Sequence, residues 1–441
     1  MGRGGRNEGA AALFGPELRR LRQQCGLSLR DLSKVIGFTP GYLSKVENGR
    51  PPSPELARAC DDALGAAGAL AALANAEASV RPAQLPAGIR RFVGRSDQLQ
   101  SLDDADARAV IIDGPPGTGK TMLALRWAHH AVDRFPDGQL YVDLRGHSPH
   151  DRPMEPRVAL EEFLAALGVS AHSFPCSIPG GLERASALFR SLVADRKLLV
   201  VLDNAASSEQ VRPLLPAAPG CVVVITSRER LSSVAVQTDA LRVTLGPMTP
   251  IDSIALIRRV IGDERADAEP EAVAELAARC GFLPLALRIA AERVVAQPHY
   301  LVRDLVEELD GDGRLDVLST FDSIAVRTVF DWSYRRLDAD VARMFRLLGL
   351  HRGPHIGTGA AAALAGLPLP AAGVLLDRLV AVHLVQSLGR DRYQLHDLLR
   401  EYAAELVAAD ESLPAVTRMV TWYQATTNAA GLALAPSVTT R

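Results

Sequence analysis

Gly114-Pro115-Pro116-Gly117-Thr118-Gly119-Lys120-Thr121 decides how the rest of the chain is read. The octet fits G-x-x-x-x-G-K-[ST], a loop whose glycines let backbone N–H groups curl round an anionic phosphate. It follows the apolar run Val110-Ile111-Ile112-Asp113, read as a buried strand, and precedes Met122–Ala128, read as a helix. That order puts the phosphate at the positive end of the helix dipole. In this reading Gly114, Pro115, Gly117, Thr118, Gly119, Lys120, Thr121 and Met122 bind a nucleotide. Lys120 reaches the β- and γ-phosphates, and the Thr121 hydroxyl holds Mg²⁺. Lysine is scarce, at positions 34, 45, 120 and 197 only, so a chance match is expected in roughly a few cases per thousand.

Four more strand candidates follow: Leu140–Asp143, Leu198–Asp203, Val222–Ser227 and Leu241–Leu245. Helical patterns separate most of them, as in an open parallel sheet with crossover helices, the first strand lying centrally. Leu198–Asp203 ends in a carboxylate, so Asp203 is the partner of Thr121 in the Mg²⁺ shell. Where many ATPases carry a second acid, this chain has Asn204. An amide is a poor base, so slow hydrolysis is expected. Arg228, at the end of Val222–Ser227, reads equally as a surface salt-bridging arginine or as a sensor of the γ-phosphate. Lys120, Asp203 and Arg228 are therefore the candidate catalytic set.

Working outward towards the N-terminus, Ser79–Gly88, with prolines at 82 and 86, reads as a linker. Before it the punctuation of short helices is dense. Pro16 sits at a first-turn position with Leu18 and Leu21 on one face, and the helix stops near Gly26. Ser28–Asp31 is a capping box opening a helix that carries Leu32, Val35 and Ile36, and Gly37 ends it. Thr39-Pro40 starts a third helix with Leu43 and Val46 inward, closed by Asn48-Gly49. Ser53-Pro54 starts a fourth, running to about Leu64, and an alanine-rich fifth runs to about Ala76. Two short helices joined by a glycine turn suit a helix-turn-helix, with Gly41, Tyr42, Ser44 and Lys45 free of the core to meet DNA. Residues 1–60 hold ten basic and five acidic residues in a chain of net charge −2, so positive charge is concentrated here.

Downstream, residues 249–310 are helical by pattern, and Gly281–Leu287 interrupts one helix and starts another. Pro284 there either faces an adenine ring or makes a packing kink. Helices Asp338–Leu350, Gly357–Ala365 and Pro370–Val380 lead to two short strands around Val385 and Tyr393. Such a hairpin after helices makes a winged-helix arrangement. Leu395-His396-Asp397 follows, with a helix from Leu398 to Ala408 and a last one near Ala415–Leu434. Spacing alone gives His396 no role.

Composition bounds the answer further. A chain of 441 residues, 48% hydrophobic and only 5% aromatic, holds two to four globular domains. Its net charge gives no overall attraction to nucleic acid, so any DNA site is local. Five scattered cysteines without metal-type spacing are expected to be reduced thiols in a cytoplasm. The apolar stretch near Ala360–Leu369 is too short to span a bilayer, so no membrane partner is expected.

The stretch Leu27–Leu32 with Tyr42–Pro54 closely resembles the phage-repressor (XRE/Cro) helix-turn-helix family. The resemblance implies readout of double-stranded operator DNA by Thr39, Tyr42, Ser44 and Lys45, with Ser28 and Arg50 on phosphates. Phe92–Arg95, the phosphate loop, Leu198–Asp203, Thr226–Arg228, Gly281–Leu287 and Leu395–Asp397 occur in the order found in NB-ARC proteins, which are STAND-class signalling ATPases. Together the two parts resemble actinobacterial XRE–NB-ARC transcriptional regulators. This implies bound ADP or ATP with Mg²⁺, Val93 and Arg95 beside base and ribose, Pro284 at the adenine, and His396 on the β-phosphate of ADP. Leu395 replaces the family's usual methionine. It also implies an ADP-held off state, ATP-driven self-association into a homo-oligomer, and an unknown inducer.

The fold class expected is multidomain α and α/β. Its parts are a disordered tail (1–12), an all-α helix-turn-helix domain (13–76) and a linker (77–91). A parallel α/β P-loop nucleotide-binding domain (92–246), a helical domain (247–318) and a winged-helix domain (319–410) follow. A C-terminal helix (411–441) reads as the start of a missing or truncated sensor. Two other readings stay open: a steadily turning-over ATPase, and a defence or signalling ATPase whose N-terminal module binds protein.

Overall fold

Short polar side chains at fixed offsets start three helices of the N-terminal region. In the computed structural model, which describes residues 8–50, 52–66, 70, 81–88, 92–147, 152–169, 181–297, 299–311, 313–318 and 325–434, α1 spans Glu8–Gln24, α2 Leu29–Ile36, α3 Pro40–Glu47 and α4 Pro54–Leu64. Ser28 and Asp31 form the expected reciprocal capping box. The Thr39 and Ser53 hydroxyls accept from the N–H groups of Tyr42 and Leu56. Phe14, Leu18, Leu32, Leu43, Val46, Leu56 and Cys60 are fully buried together.

Two expectations fail here. The helix begins at Glu8, so Pro16 lies inside α1 and the tail expected to be disordered over 1–12 is helical from Glu8; the alanines at 10–12 favour the helix. Val35 is 64% exposed. On a helix it stands about 100° from Ile36, on the edge of the stripe made by Leu32 and Ile36. The fifth helix, residues 1–7 and much of the 77–91 linker lie outside the described residues.

Five β-branched or leucine-rich runs form a wholly parallel sheet in the order β2-β3-β4-β1-β5. The strands are β1 Ala109–Asp113, β2 Gly138–Asp143, β3 Leu198–Ala205, β4 Val222–Ser227 and β5 Leu241–Thr244. β1 is interior, between β4 and β5, and so one place off the centre where it was expected. All five of its residues are buried, which explains why it reads as an unbroken apolar run. The helix Lys120–His130 follows the phosphate loop and buries Leu123, Ala124, Trp127 and Ala128 against the sheet.

Helices from Pro250 onwards share a second core that runs without a break from Met248 to Met419. Among the described residues, this core includes side chains on both sides of the expected boundary near residue 318. The hairpin strands β6 (Gln386–Gly389) and β7 (Arg392–Gln394) are antiparallel, and Ile356 bridges to Tyr393 beside them. The last helix starts at Ala409, earlier than expected. By contacts the chain divides into two compact units, residues 1–82 with 161–179 and residues 83–160 with 180–441. Among the described residues no single helix is long and apolar enough to cross a membrane. The pair Thr358–Ala365 and Leu369–Ala381, apolar enough together, is bent by 103° at its break.

Candidate nucleotide site and DNA-binding face

A cavity of about 820 Å³ opens at the carboxyl ends of the strands. Its wall includes Val93, Arg95, Gly117, Thr118, Gly119, Lys120, Thr121, Met122, Asp203, Arg228 and Pro284, so most of the residues expected from sequence converge. Gly114 and Pro115 stay off the wall and serve through their carbonyls, which accept from Lys120 Nζ at 2.8 and 2.7 Å. Gly114 sits at φ 142°, and a Cβ there would lie 2.3 Å from the Leu245 carbonyl oxygen. The loop is thus folded back on its own lysine. Burial, with Arg228 adding to it, pushes the Lys120 ammonium down to about 7, against the opposing pull of Asp203 and Asp113.

Asp203 and Thr121 meet as the sequence predicts, Thr121 Oγ1 donating to Asp203 Oδ1 at 2.8 Å. Thr226 Oγ1 donates to the same oxygen at 2.5 Å, and the Tyr141 hydroxyl to Oδ2 at 3.1 Å. Burial raises the Asp203 carboxyl, and these donors only partly offset it. Among the described residues no cluster of three metal-ligating side chains exists. One carboxylate and one hydroxyl suit a magnesium ion completed by phosphate oxygens and water, and do not suit a cage built by protein alone. Asn204 occupies a bulge in β3 at φ 54°, a conformation asparagine tolerates, and its backbone N–H donates to Thr226 Oγ1 at 2.9 Å.

Arg228 is neither a surface residue nor a free sensor. Its Nη1 donates to the Val329 carbonyl at 2.8 Å and to Ser333 Oγ at 2.7 Å, and its guanidinium lies 5.9 Å from the Trp332 ring. Burial, with Arg336 nearby, lowers it to about 10. Arg95, whose backbone is left-handed (φ 64°), donates from Nη2 to the carbonyl of Gly246 at 2.5 Å at the cavity rim.

His396 departs from expectation. It is not in the cavity wall. Its Nε2–H donates to the Gly281 carbonyl at 2.7 Å, and Nδ1 accepts from the Leu398 N–H, which sets one neutral tautomer. Gly281 is at φ 59°, and a Cβ there would lie 2.3 Å from the ring, so the glycine makes room for the imidazole. Sequence reasoning missed His147, Trp332 and Phe92, which do line the cavity. His147 is 6% exposed, and burial with three nearby cations drives it down to about 2. A histidine directly after Leu144-Arg145-Gly146 carries no periodic signal, so only the folded loop reveals it.

On the helix-turn-helix, Ser28, Thr39, Gly41 and Lys45 are exposed, and Tyr42 and Ser44 partly so. Tyr42 stacks on Phe38 at 6.0 Å, with the Arg50 guanidinium 5.2 Å from its ring, so its orientation is set in advance. Not all the positive charge counted from sequence is free. Arg19 and Arg22 both bind Glu47, whose side chain is 3% exposed, and Arg20 pairs with Glu17. The exposed cations that remain include Arg30, Lys34, Lys45 and Arg50, on and beside α2 and α3.

Residues 13–74 match the helix-turn-helix domain family. The chain is 41% identical over 406 residues to the regulatory protein AfsR of Streptomyces coelicolor, covering 86% of this chain and 40% of that one. The chain thus joins a helix-turn-helix domain to a parallel α/β domain that carries a phosphate loop. It therefore spans about two fifths of the length of the AfsR regulators. A probable disease resistance protein of Arabidopsis thaliana, RF45, is 27% identical over 222 residues, 46% of this chain and 20% of that one. Among solved structures, a Pyrococcus horikoshii STAND protein with a tetratricopeptide repeat sensor aligns at TM-score 0.36 and 20% identity, over 78% of this chain and 47% of that one.

Proposed function

We propose that this protein is a cytoplasmic transcriptional regulator of the STAND class that binds operator DNA through its helix-turn-helix and is switched by a purine nucleotide, ADP off and ATP on. One observation carries the reading: Lys120, Thr121, Asp203 and Arg228 share one cavity in a chain that also holds a helix-turn-helix whose α3 exposes Gly41 and Lys45. The N–H groups from Gly117 to Thr121 bind the phosphates, and Lys120 regains its charge against them. Thr121 and Asp203 would hold Mg²⁺, which supplies neutralisation of phosphate charge. Val93, Arg95 and Pro284 line the wall that would receive base and ribose.

Arg228 is the element with two choices. Here it is held by Val329 and Ser333 of the helix Val326–Tyr334. A terminal phosphate offers it a stronger, charge-assisted partner, and taking it means leaving that helix. His396 anchors the winged region to Gly281, three residues before Pro284, so it acts on the site through the backbone. Release of both contacts would free the winged region for self-association and pair DNA-binding modules on half-sites. An inducer that favours the open form must by reciprocity favour ATP. The test selects duplexes from a random pool with the full chain, then measures their binding with ADP and with a non-hydrolysable ATP analogue. Equal affinity and stoichiometry under both nucleotides would remove the switch.

A further inference from the structure

The linker expected over Ser79–Gly88 is not a free tether along its whole length. The order β2-β3-β4-β1-β5 leaves β2 at an edge of the sheet, where backbone N–H and C=O groups need partners. The segment from Ala83 covers part of that edge. Ala83 bridges to Gln139 in parallel, and the Gln84 N–H donates to the Gln139 carbonyl at 3.1 Å. Further along, a side chain takes over from the backbone: Gln84 Oε1 accepts from the Tyr141 N–H at 3.2 Å. Leu85 packs on the core that the sheet shares with the helix Lys120–His130, and His129 Nε2–H donates to the Pro86 carbonyl at 2.8 Å. Pro86 has no N–H, which keeps the docked strand short. So few bonds, beside one half-buried leucine, allow the segment to leave without unfolding the sheet.

Tyr141 joins this segment to the nucleotide cavity. Its backbone N–H holds Gln84, its side chain packs on the same core as Leu85, and its hydroxyl donates to Asp203 Oδ2 at 3.1 Å. Burial, with Asp203 beside it, pushes that hydroxyl well above its ordinary range, so it stays protonated and remains a donor. Thr121 and Thr226 donate to Oδ1 of the same carboxylate. A divalent cation held by Thr121 and Asp203 would compete with these hydroxyls for the carboxylate oxygens. Of the three, Tyr141 is the one whose release is felt by the linker.

We propose that residues 83–88 form a displaceable edge strand and that Tyr141, as a positioning residue, ties its docking to the occupancy of Asp203. The proposal rests on the nucleotide reading above. With Mg-nucleotide bound, Asp203 turns to the cation, the tyrosine ring loosens, and the strand leaves the β2 edge. Residues 83–88, once free, add about 20 Å of reach to the tether that leads to the helix-turn-helix, at roughly 3.3 Å per residue. The nucleotide then sets how far a DNA-binding module can travel from the domain that carries it.

The experiment follows amide hydrogen exchange of the full chain by mass spectrometry, empty, with Mg-ADP and with a non-hydrolysable Mg-ATP analogue. Calorimetry alongside shows whether each nucleotide binds. Wild type is compared with Gln84→Ala and Tyr141→Phe. Gln84 is exposed, so its loss costs the fold little, and Phe keeps the ring of Tyr141 without its hydroxyl. In the empty protein Gln84→Ala should speed exchange of residues 83–88 and of the Tyr141 amide about fivefold, and in wild type either nucleotide should do the same. Tyr141→Phe should exchange this segment at one rate whether or not nucleotide is bound. The proposal is overturned by a Gln84→Ala chain that exchanges like wild type, or by wild-type exchange that does not rise although calorimetry shows binding. A rise with nucleotide that persists in Tyr141→Phe, or a Tyr141→Phe chain that loosens throughout β2 and β3, overturns the role of the tyrosine. A wild-type chain that binds neither nucleotide overturns the nucleotide reading and the coupling with it, while Gln84→Ala still decides whether the strand docks.

Discussion

The helix-turn-helix and the nucleotide cavity treat their buried polar groups in opposite ways. In the first, Arg22 and Glu47 are both buried and bind each other at 2.7 Å, while Arg22 also donates to the Leu27 carbonyl at 2.8 Å. Every cap from α2 to α4 is likewise made by the chain itself. In the cavity, Lys120 rests on loop carbonyls with its charge disfavoured, Asp203 is raised, and His147 Nδ1 has no partner among the described residues. A group satisfied internally maintains a shape. A group left wanting inside a cavity marks where a ligand belongs.

The largest effect expected from this contrast is on the self-satisfied side. Glu47→Ala leaves Arg22 buried and without its carboxylate, which should destabilise the N-terminal unit by about 3–5 kcal/mol. Hydrogen exchange should show amides of α1 and α3 losing protection while nucleotide affinity is unchanged. Protection that stays intact would mean the pair adds nothing to the fold.

Lys120→Ala tests the other side. It removes an ammonium whose burial is already unfavourable, so the empty protein should lose little stability. Affinity for ADP and ATP should fall at least a hundredfold, about 2.7 kcal/mol, and the nucleotide-induced rise in melting temperature should disappear. A variant that still melts higher with nucleotide would show that the contrast is not about ligand binding.

Much of this was legible in the sequence because local rules govern it. Ser28, Thr39 and Ser53 announce their helices, and the runs at β1, β3 and β4 are apolar enough to be strands of a covered parallel sheet. Lys120, Thr121 and Asp203 follow from a spacing pattern with a chemical cause. What was not legible depends on distant packing. Arg228 is engaged by residues 101 and 105 positions away, and His396 by one 115 positions away. His147 becomes a cavity residue only because Gly146 meets β3. Charge counting also overestimated the free positive face, since the Arg19 and Arg22 partner lies in another helix.

A smaller effect separates the two regions by pH. Lys120 titrates near 7 in the empty cavity, against 10.5 for an unperturbed lysine. Between these values the empty fold binds fewer protons than the unfolded chain, so this group opposes folding less as pH rises through that window. An anion restores the charged form. Nucleotide binding should therefore take up close to one proton at pH 8 and almost none at pH 6, weakening by up to about 1.4 kcal/mol per pH unit above 7. Calorimetry in buffers of different ionisation enthalpy reads the uptake directly. Lys120→Arg cannot lose its proton and should abolish the difference; uptake that is the same at both pH values would show that Lys120 is charged throughout.

The smallest effect belongs to the recognition helix. Lys45 is exposed, so replacing it with alanine costs the fold almost nothing. On DNA it exchanges a contact with a counterion-bearing strand for none. If Lys45 meets a phosphate, affinity drops a few-fold for every duplex and the slope of log affinity against log salt falls by about one. If it meets a base edge, the loss instead reaches about 1–3 kcal/mol at one base position and the slope barely moves. Tyr42 is already clamped between Phe38 and Arg50, so it pays little ordering entropy on docking and should keep its share of specificity in the Lys45→Ala variant. Selection of binding sites by that variant, compared with wild type, decides between the two. An unchanged slope together with an unchanged selected sequence would show that this face of α3 does not touch DNA.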